Sequence, residues 1–167
     1  ISEYYFPLFE EKLSKYNLPL EIKYLAIVES ALQPKAKSKV GAGGLWQFMP
    51  GTGRTMGLII NDLVDERRHP EKSTIAAMKF LKSGYRTHNS WILTLAGYNM
   101  GFAGVSNNLK YQYGSDYFDL YLNEETSRFI FRIAIIKEIM SNPEKYLFNT
   151  NRVVKYIPSS VTPRSFD

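Results

Sequence analysis

One carboxylate, Glu29, stands on the apolar side of a predicted helix, where a leucine would be ordinary. Four apolar residues lie three, four or seven positions from it and share its helical face: Ile22, Leu25, Ala26 and Leu32. No Lys or Arg stands three or four positions away, although surface glutamates usually have one there. Apolar surroundings disfavour the charged form of a carboxyl group. They would raise the pKa of Glu29 and suit it to act as a general acid near neutral pH.

The helix pattern alone leaves two interpretations of Glu29 open. It is either a catalytic carboxyl group or a buried glutamate that is hydrogen-bonded for structural reasons. An unpaired buried carboxylate is costly and therefore tends to mark function.

A glycine-rich stretch follows this helix, with six of the 11 glycines of the chain between positions 41 and 57. It does not match either phosphate-binding glycine pattern, and no strand precedes it. Glycines of this kind let the backbone bend tightly and approach a ligand closely. Within "GGLWQFMP", Trp46 and Phe48 offer apolar faces and Gln47 an amide between them, as a sugar polymer requires. Trp46 has the alternative of packing in the core.

A third group, "AGYNMG", places Tyr98 and Asn99 at the end of an apolar helix. Tyr98 is a candidate hydrogen-bond partner of Glu29 or of a substrate. Its alternative is a half-buried core tyrosine.

The elements that must position these groups are mostly helical, because apolar residues recur at three- and four-residue intervals. The sequence predicts helices within 3–17, 20–32, 47–56, 69–89, 90–101 and 123–143. Pro7 is expected in the first turn of its helix, Pro70 at the entry of the fourth, and Ser90 as an N-cap. The only strand-like alternation is 152–157. The predicted fold class is therefore all-α, with a domain over 1–150 and a loosely ordered tail over 151–167.

Composition narrows the function further. The chain has 167 residues, a net charge of +5 and no cysteine, which excludes disulfides and thiol chemistry. His69 and His88 form no metal-ligand pattern, so we expect no metal and no cofactor. No apolar run is long enough to span a membrane. The N-terminus has neither an initiator Met nor a signal-peptide pattern, so we expect an excised or mature fragment.

Taken together, the quoted motifs resemble the SLT family of lytic transglycosylases, most closely the membrane-bound lytic murein transglycosylase D type. The resemblance is carried by "IVESALQPKAKSKVGAGGLWQFMPGTGRTMGL", "AGYNMG" and "ETSRF", in family order. "DERRHPEKSTIAAMKFL" is similar to the stretch between two of these motifs. The combination covers roughly residues 18–145 and is far more specific than any single motif.

This resemblance implies a lysozyme-like, mainly α-helical domain with a cleft. It implies cleavage of the β-1,4 bond between N-acetylmuramic acid and N-acetylglucosamine in peptidoglycan, leaving 1,6-anhydromuramoyl ends. Glu29 would be the single acid and then base, since the substrate's own C6 hydroxyl acts as nucleophile. Glycosidases ordinarily need two carboxylates, and no second acidic residue lies between positions 30 and 60.

The resemblance also implies a set of substrate-binding residues. Matching the family motifs residue by residue gives Ser38, Gln47, Met49, Tyr98, Asn99 and Glu125. The sequence departs from the family at Phe129, where a tyrosine is usual, and at Met100, where a small residue is usual. The loss of the tyrosine hydroxyl removes one hydrogen bond near the cleft.

Two rival functions stay open at this level: a goose-type lysozyme that hydrolyses with water, and an inactive peptidoglycan-binding domain. A nucleic-acid-binding domain would need a clustered basic helix, and only "KAKSK" in a loop is basic. We therefore expect peptidoglycan glycan strands as the partner, no nucleic acid, and a monomer. We expect a bacterial cell-envelope location, periplasmic or associated with the outer membrane. Any membrane attachment would come through an anchor outside this chain.

Overall fold

The computed structural model describes residues 1–146. These residues form seven α-helices, which are joined by 3₁₀ turns and one long glycine-rich loop. The helices are α1 (Ser2–Tyr16), α2 (Leu25–Ser30), α3 (Pro50–Thr55), α4 (Pro70–His88), α5 (Trp91–Met100), α6 (Phe102–Tyr111) and α7 (Glu124–Ser141). The 3₁₀ turns are Leu20–Tyr24, Glu66–Arg68, Tyr117–Asp119 and Pro143–Tyr146. In this described part, β pairing is limited to three isolated bridges. The all-α prediction is confirmed, while the strand at 152–157 and the tail at 151–167 lie outside the described residues.

Several helix boundaries follow from local chemistry. Pro70 occupies the first turn of α4, where its missing N–H costs nothing. The side chain of Ser90 accepts a hydrogen bond from the Leu93 amide and caps α5. Asn123 accepts from the Thr126 amide and caps α7 in the same way. The predicted roles of Pro70 and Ser90 are confirmed.

Three elements differ from the sequence prediction. Helix α1 begins at Ser2, so Pro7 lies inside it rather than in its first turn. The segment predicted as one helix over 20–32 is a 3₁₀ turn followed by the short α2. That helix ends because Ala31 and Leu32 adopt left-handed backbone conformations, with φ of 51° and 59°. Helix α6 was not predicted, because its first half is rich in small residues.

Helix α5 is central and packs against α4, α6 and α7, while α1 packs against α4. Trp46 belongs to this core: it is fully buried, contacts Phe9, and its Nε1 donates to Thr74 Oγ1 at 3.0 Å. Phe48 is also buried and packs against Phe80. The alternative stated for Trp46, packing in the core, is therefore confirmed, and the suggestion that these two rings present sugar-binding faces is wrong.

No helix within residues 1–146 combines the length and the apolar character that crossing a membrane requires.

Candidate active site

Helix α2 holds Glu29 at a fixed position against the glycine-rich loop. The next residue, Ser30, is buried, and its Oγ lies 3.0 Å from Ala26 O and 2.9 Å from Leu45 O. One contact is within the helix and the other reaches the loop. This side chain therefore ties the end of α2 to the loop, and Glu29 cannot shift independently of it.

The Glu29 carboxyl group is partly buried and points into a cleft. Burial, and secondarily the negative charge of Glu125, raises its pKa from 4.5 to about 7. Within residues 1–146, no group donates a hydrogen bond or pairs with it as a cation. The group is therefore about half protonated at pH 7, and its protonated form can give a proton to a molecule in the cleft.

A buried arginine, Arg67, holds the glycine-rich loop in place. Its Nη1 donates to two loop carbonyls, Gly41 O at 2.8 Å and Phe48 O at 3.0 Å. Its Nε and Nη2 form a bidentate pair with Asp65, both at 2.8 Å. The loop packs so closely here that a Cβ on Gly44 would meet Arg67 O at 1.8 Å, and the φ of Gly44 is +81°. Arg67 therefore fixes the loop conformation from behind.

The loop presents Ser38 and Gln47 to the cleft with one polar group each left available. Ser38 Oγ accepts from the Ala42 amide at 3.0 Å, which leaves its O–H free to donate. Gln47 Nε2 donates to Gly44 O at 2.9 Å, which leaves Oε1 free to accept. Met49 follows as the N-cap residue of α3 and places an exposed thioether on the rim.

Tyr98, near the end of α5, lines the same cleft with a well-buried hydroxyl group. The hydroxyl donates to Trp46 O at 2.7 Å and makes no hydrogen bond to Glu29 in this structure. Burial, together with the nearby Glu29 charge, raises the pKa of Tyr98 well above 10, so the phenol stays protonated. The Tyr98 hydroxyl group therefore bonds directly to the backbone of the loop, and Glu29 lies nearby.

Tyr98→Phe should lower the free energy of unfolding by about 1–3 kcal/mol, because it leaves the Trp46 carbonyl without its donor. Urea denaturation measures this. Tyr85→Phe is the matched control, since Tyr85 stacks on Trp91 and none of the described residues bonds its hydroxyl. Equal losses in the two variants would contradict the structural role of the Tyr98 hydroxyl.

Asn99, the next residue, joins α5 to α7. Its Nδ2 donates to Glu125 Oε1 at 3.0 Å, and its Oδ1 accepts from Thr126 Oγ1 at 2.7 Å. Both groups of the amide are thereby used, so Asn99 orients Glu125 toward the cleft. A second carboxylate therefore shares the cleft with Glu29, although it comes from a distant part of the chain.

All seven residues expected at the site line one cleft of about 380 Å³. They are Glu29, Ser38, Gln47, Met49, Tyr98, Asn99 and Glu125. The other lining residues are Val28, Val40, Ala42, Phe129 and Arg132, of which the sequence analysis had placed only Phe129 near the cleft. Helical spacing could have found Arg132 as well, because it follows Glu125 by seven positions on α7. Phe129 is buried and has no hydroxyl to offer.

Another cavity, of about 460 Å³, lies near the N-terminus, but its lining is mostly apolar and contains no acidic residue. It is not suited to acid–base chemistry. Residues 1–146 contain no cluster of His, Asp or Glu side chains able to hold a metal ion. His69 instead accepts a hydrogen bond from the Lys72 amide at the start of α4, and His88 contacts Ser106.

Comparison with known proteins gives a family match over most of the chain. The family described as the Transglycosylase SLT domain matches residues 7–120. The Membrane-bound lytic murein transglycosylase D of Escherichia coli (strain K12) is 34% identical over 140 residues, covering 81% of this chain and 31% of the relative. A Putative tributyltin chloride resistance protein of Alteromonas sp. (strain M-1) is 31% identical over 91 residues, covering 54% and 44% respectively. The chain thus spans about a third of the length of the first relative.

Solved structures show the same fold. The 70 kDa soluble lytic transglycosylase of Escherichia coli superposes with a TM-score of 0.70 and 26% identity, covering 81% of this chain and 24% of that one. An inactive variant of the lytic transglycosylase Slt of Pseudomonas aeruginosa has a TM-score of 0.67 at 21% identity, covering 86% and 24%. The helical architecture is therefore the lysozyme-like fold of this group. By its sequence match over more than half its length and by its fold, the chain belongs to the SLT transglycosylase family.

Proposed function

We propose that this chain cleaves the glycan strands of peptidoglycan as a lytic transglycosylase, with Glu29 as its acid and base. One observation carries the proposal: a partly buried carboxyl group with a pKa raised to about 7 faces a cleft lined by hydrogen-bonding side chains. A general acid works best when its pKa lies near the working pH. Membership of the SLT family supports peptidoglycan as the substrate on which this carboxyl group acts.

In the proposed reaction, Glu29 first donates its proton to the glycosidic oxygen between N-acetylmuramic acid and N-acetylglucosamine. The C1–O bond breaks, and the resulting carboxylate takes the proton of the C6 hydroxyl of the muramic acid. The C6 oxygen then bonds to C1 and closes the 1,6-anhydro ring, and Glu29 is again protonated. The C6 hydroxyl takes the place of water, so the reaction consumes none, and assistance by the substrate's N-acetyl group at C1 replaces a second protein nucleophile.

The other lining side chains are proposed to hold the sugars. The free O–H of Ser38 and the free Oε1 of Gln47 can bond to hydroxyl or N-acetyl groups. Met49 offers a soft apolar contact on the rim. Tyr98, Asn99 and Glu125 line the same cleft from α5 and α7, where Asn99 orients Glu125 and Tyr98 supports the loop. We propose that no metal or cofactor takes part.

One observation favours a second candidate, hydrolysis by water as in goose-type lysozymes. Glu125 brings a second carboxylate into the cleft, and two carboxylates are the usual requirement for glycoside hydrolysis. Product analysis distinguishes the two reactions. Mass spectrometry of digested peptidoglycan should show 1,6-anhydromuramoyl ends, whereas reducing ends would replace the proposal by hydrolysis. The absence of any product would favour the remaining alternative, an inactive peptidoglycan-binding domain.

Because the proposed substrate is peptidoglycan, the proposed location of the chain is the bacterial cell envelope. The relative from Escherichia coli is named as membrane-bound. We propose that this chain acts as a monomer in the periplasm or at the outer membrane. Any membrane attachment would lie outside the chain described. Its net charge of +5 suits an anionic polymer such as peptidoglycan.

The rate of cleavage should fall as the pH rises through about 7, because the first step requires protonated Glu29. Glu125→Gln removes the negative charge that contributes to this raised pKa. The midpoint of the fall should then move to lower pH, by a minor part of the whole elevation, since burial is its larger cause. Initial rates measured from pH 5 to pH 9 test this.

Glu124→Gln is the matched control, because Glu124 is exposed, adjacent in sequence, and paired with Arg128. Its pH profile should equal that of the wild type. A Glu125→Gln profile that also coincides with the wild type would show that the Glu125 charge does not act on Glu29.

A further inference from the structure

Arg132, in the middle of α7, lies on the wall of the cleft. It follows Glu125 by seven positions and Phe129 by three, so all three occupy one face of α7. Each of the three lines the cleft together with Glu29. Among the residues of 1–146 that form this lining, Arg132 is the one lysine or arginine. The cleft therefore carries one positive group beside its two carboxyl groups.

The guanidinium group of Arg132 has no ion pair and no hydrogen bond with any residue in the described range. The other arginine of α7 behaves differently, since Arg128 Nη1 lies 2.6 Å from Glu124 Oε1. An arginine keeps its charge at all relevant pH values and offers five N–H donors in a planar fork. Arg132 thus presents an unused, permanently charged site for a carboxylate at the cleft wall.

A small apolar pocket adjoins the cleft at the same place. Its volume is about 220 Å³, and it is lined by Val28, Arg132, Ile135 and Ile136. Val28 and Arg132 line both the pocket and the cleft, so the two lie side by side. A ligand group that fits here has a carboxylate for the guanidinium and a small alkyl group for the pocket.

We propose that Arg132 binds a carboxylate carried by the muramic acid side of the substrate, and that the adjoining pocket takes the methyl group beside it. This proposal rests on the proposed function. Muramic acid differs from glucosamine by a lactyl ether, which has a methyl group and a carboxyl group on one carbon. In strands without peptides the lactyl carboxylate is free; in peptide-bearing strands the carboxylates belong to the peptide stem. Arg132 would thereby distinguish muramoyl sugars from glucosamine alone.

Binding is measured by calorimetry on the full chain carrying Glu29→Gln, with and without Arg132→Gln. The three ligands are muramoyl-containing tetrasaccharides without peptides, the same tetrasaccharides with peptide stems, and an N-acetylglucosamine tetramer without lactyl groups. Loss of one charge-assisted contact should weaken binding of a muramoyl ligand about tenfold or more. Binding of the glucosamine tetramer should not change, and Arg132→Lys should retain part of the affinity because it keeps the charge.

The two muramoyl ligands identify the source of the carboxylate. Weaker binding of the peptide-free ligand assigns it to the lactyl group, and weaker binding of the peptide-bearing ligand assigns it to the stem. Arg128→Gln is the control and should leave all three affinities unchanged. Equal affinities with and without Arg132 for both muramoyl ligands, or an equal loss for the glucosamine tetramer, would overturn the proposal. Failure of the proposed function would appear separately, as a wild-type chain that releases no product from peptidoglycan.

Discussion

Glu29→Gln is expected to abolish release of muropeptides, with turnover lowered by roughly 10²–10⁴-fold or more. The amide has nearly the same shape as the carboxyl group but can neither donate a proton to the glycosidic oxygen nor accept one from the C6 hydroxyl. Both proposed steps are therefore lost together. The measurement is the rate of soluble product release from purified peptidoglycan, followed by mass spectrometry.

Glu124→Gln is again the suitable control, because it also replaces a glutamate by its amide but lies exposed beside Arg128. Its rate should equal that of the wild type. If the Glu29→Gln variant is folded and still releases product at the wild-type rate, Glu29 is not the acid, and the mechanism fails.

The same substitution should stabilise the protein above neutral pH. A carboxyl group whose pKa is raised from 4.5 to about 7 by burial opposes folding once it ionises. Below pH 4.5 it is protonated in both the folded and the unfolded state and has no effect. Between pH 4.5 and 7 the unfolded chain releases its proton first, so stability declines. Above pH 7 the decline is complete.

Glutamine carries no such cost, so Glu29→Gln should be more stable than the wild type at pH 8 by up to about 3 kcal/mol. The two proteins should converge as the pH falls to 4.5. Urea denaturation at both pH values tests this. A variant without any gain at pH 8 would show that the carboxyl group is better solvated than its surroundings indicate. A gain in stability with loss of activity would be the expected trade-off at a catalytic carboxyl group.

Arg67→Met should lower the free energy of unfolding by about 3–5 kcal/mol, since it removes one member of a buried ion pair. The guanidinium group satisfies two loop carbonyls and the Asp65 carboxylate at once. Methionine replaces the volume but none of these donors. Because the loop carries Ser38 and Gln47, the KM for peptidoglycan should also rise in variants that still fold.

Arg68→Met separates this effect from the general loss of a positive charge. Arg68 is exposed, and its Nε lies 3.6 Å from Asp65. Its loss should cost less than about 1 kcal/mol, as for other surface pairs. Urea denaturation of both variants makes the comparison, and similar losses would contradict the assigned role of Arg67.

Local sequence patterns predicted every helix except α6, although the segment over 20–32 is only partly α-helical, and they predicted the apolar surroundings of Glu29. Helical periodicity, proline positions and the Ser90 cap act within a few residues, so they can be read without the fold. The absence of a nearby cation and the apolar neighbours of Glu29 are local in the same sense. Its raised pKa therefore follows from a pattern that the sequence carries.

The other side of the site depends on contacts between distant residues. Arg67 stands in the polar stretch "DERRH", and its partners include backbone carbonyls, which have no signature in the sequence. The sequence left the place of Trp46 open, and it misplaced the ring of Phe48, because aromatic residues suit both a core and a sugar-binding face. Glu125 acts on Glu29 across almost a hundred residues, and the packing of α7 against α2 brings them together.

Trp46 connects the glycine-rich loop to two helices, through its side chain to Thr74 of α4 and through its carbonyl to Tyr98 of α5. Loops usually open on their own, at a fraction of the free energy needed to unfold the whole domain. This loop is fastened to the core at its centre and therefore belongs to the same cooperative unit as the helices. Its hydrogen-bonded backbone amides, such as those of Gly43, Gly44 and Phe48, should exchange with solvent mainly through global unfolding, so this wall of the cleft keeps its shape for as long as the protein remains folded.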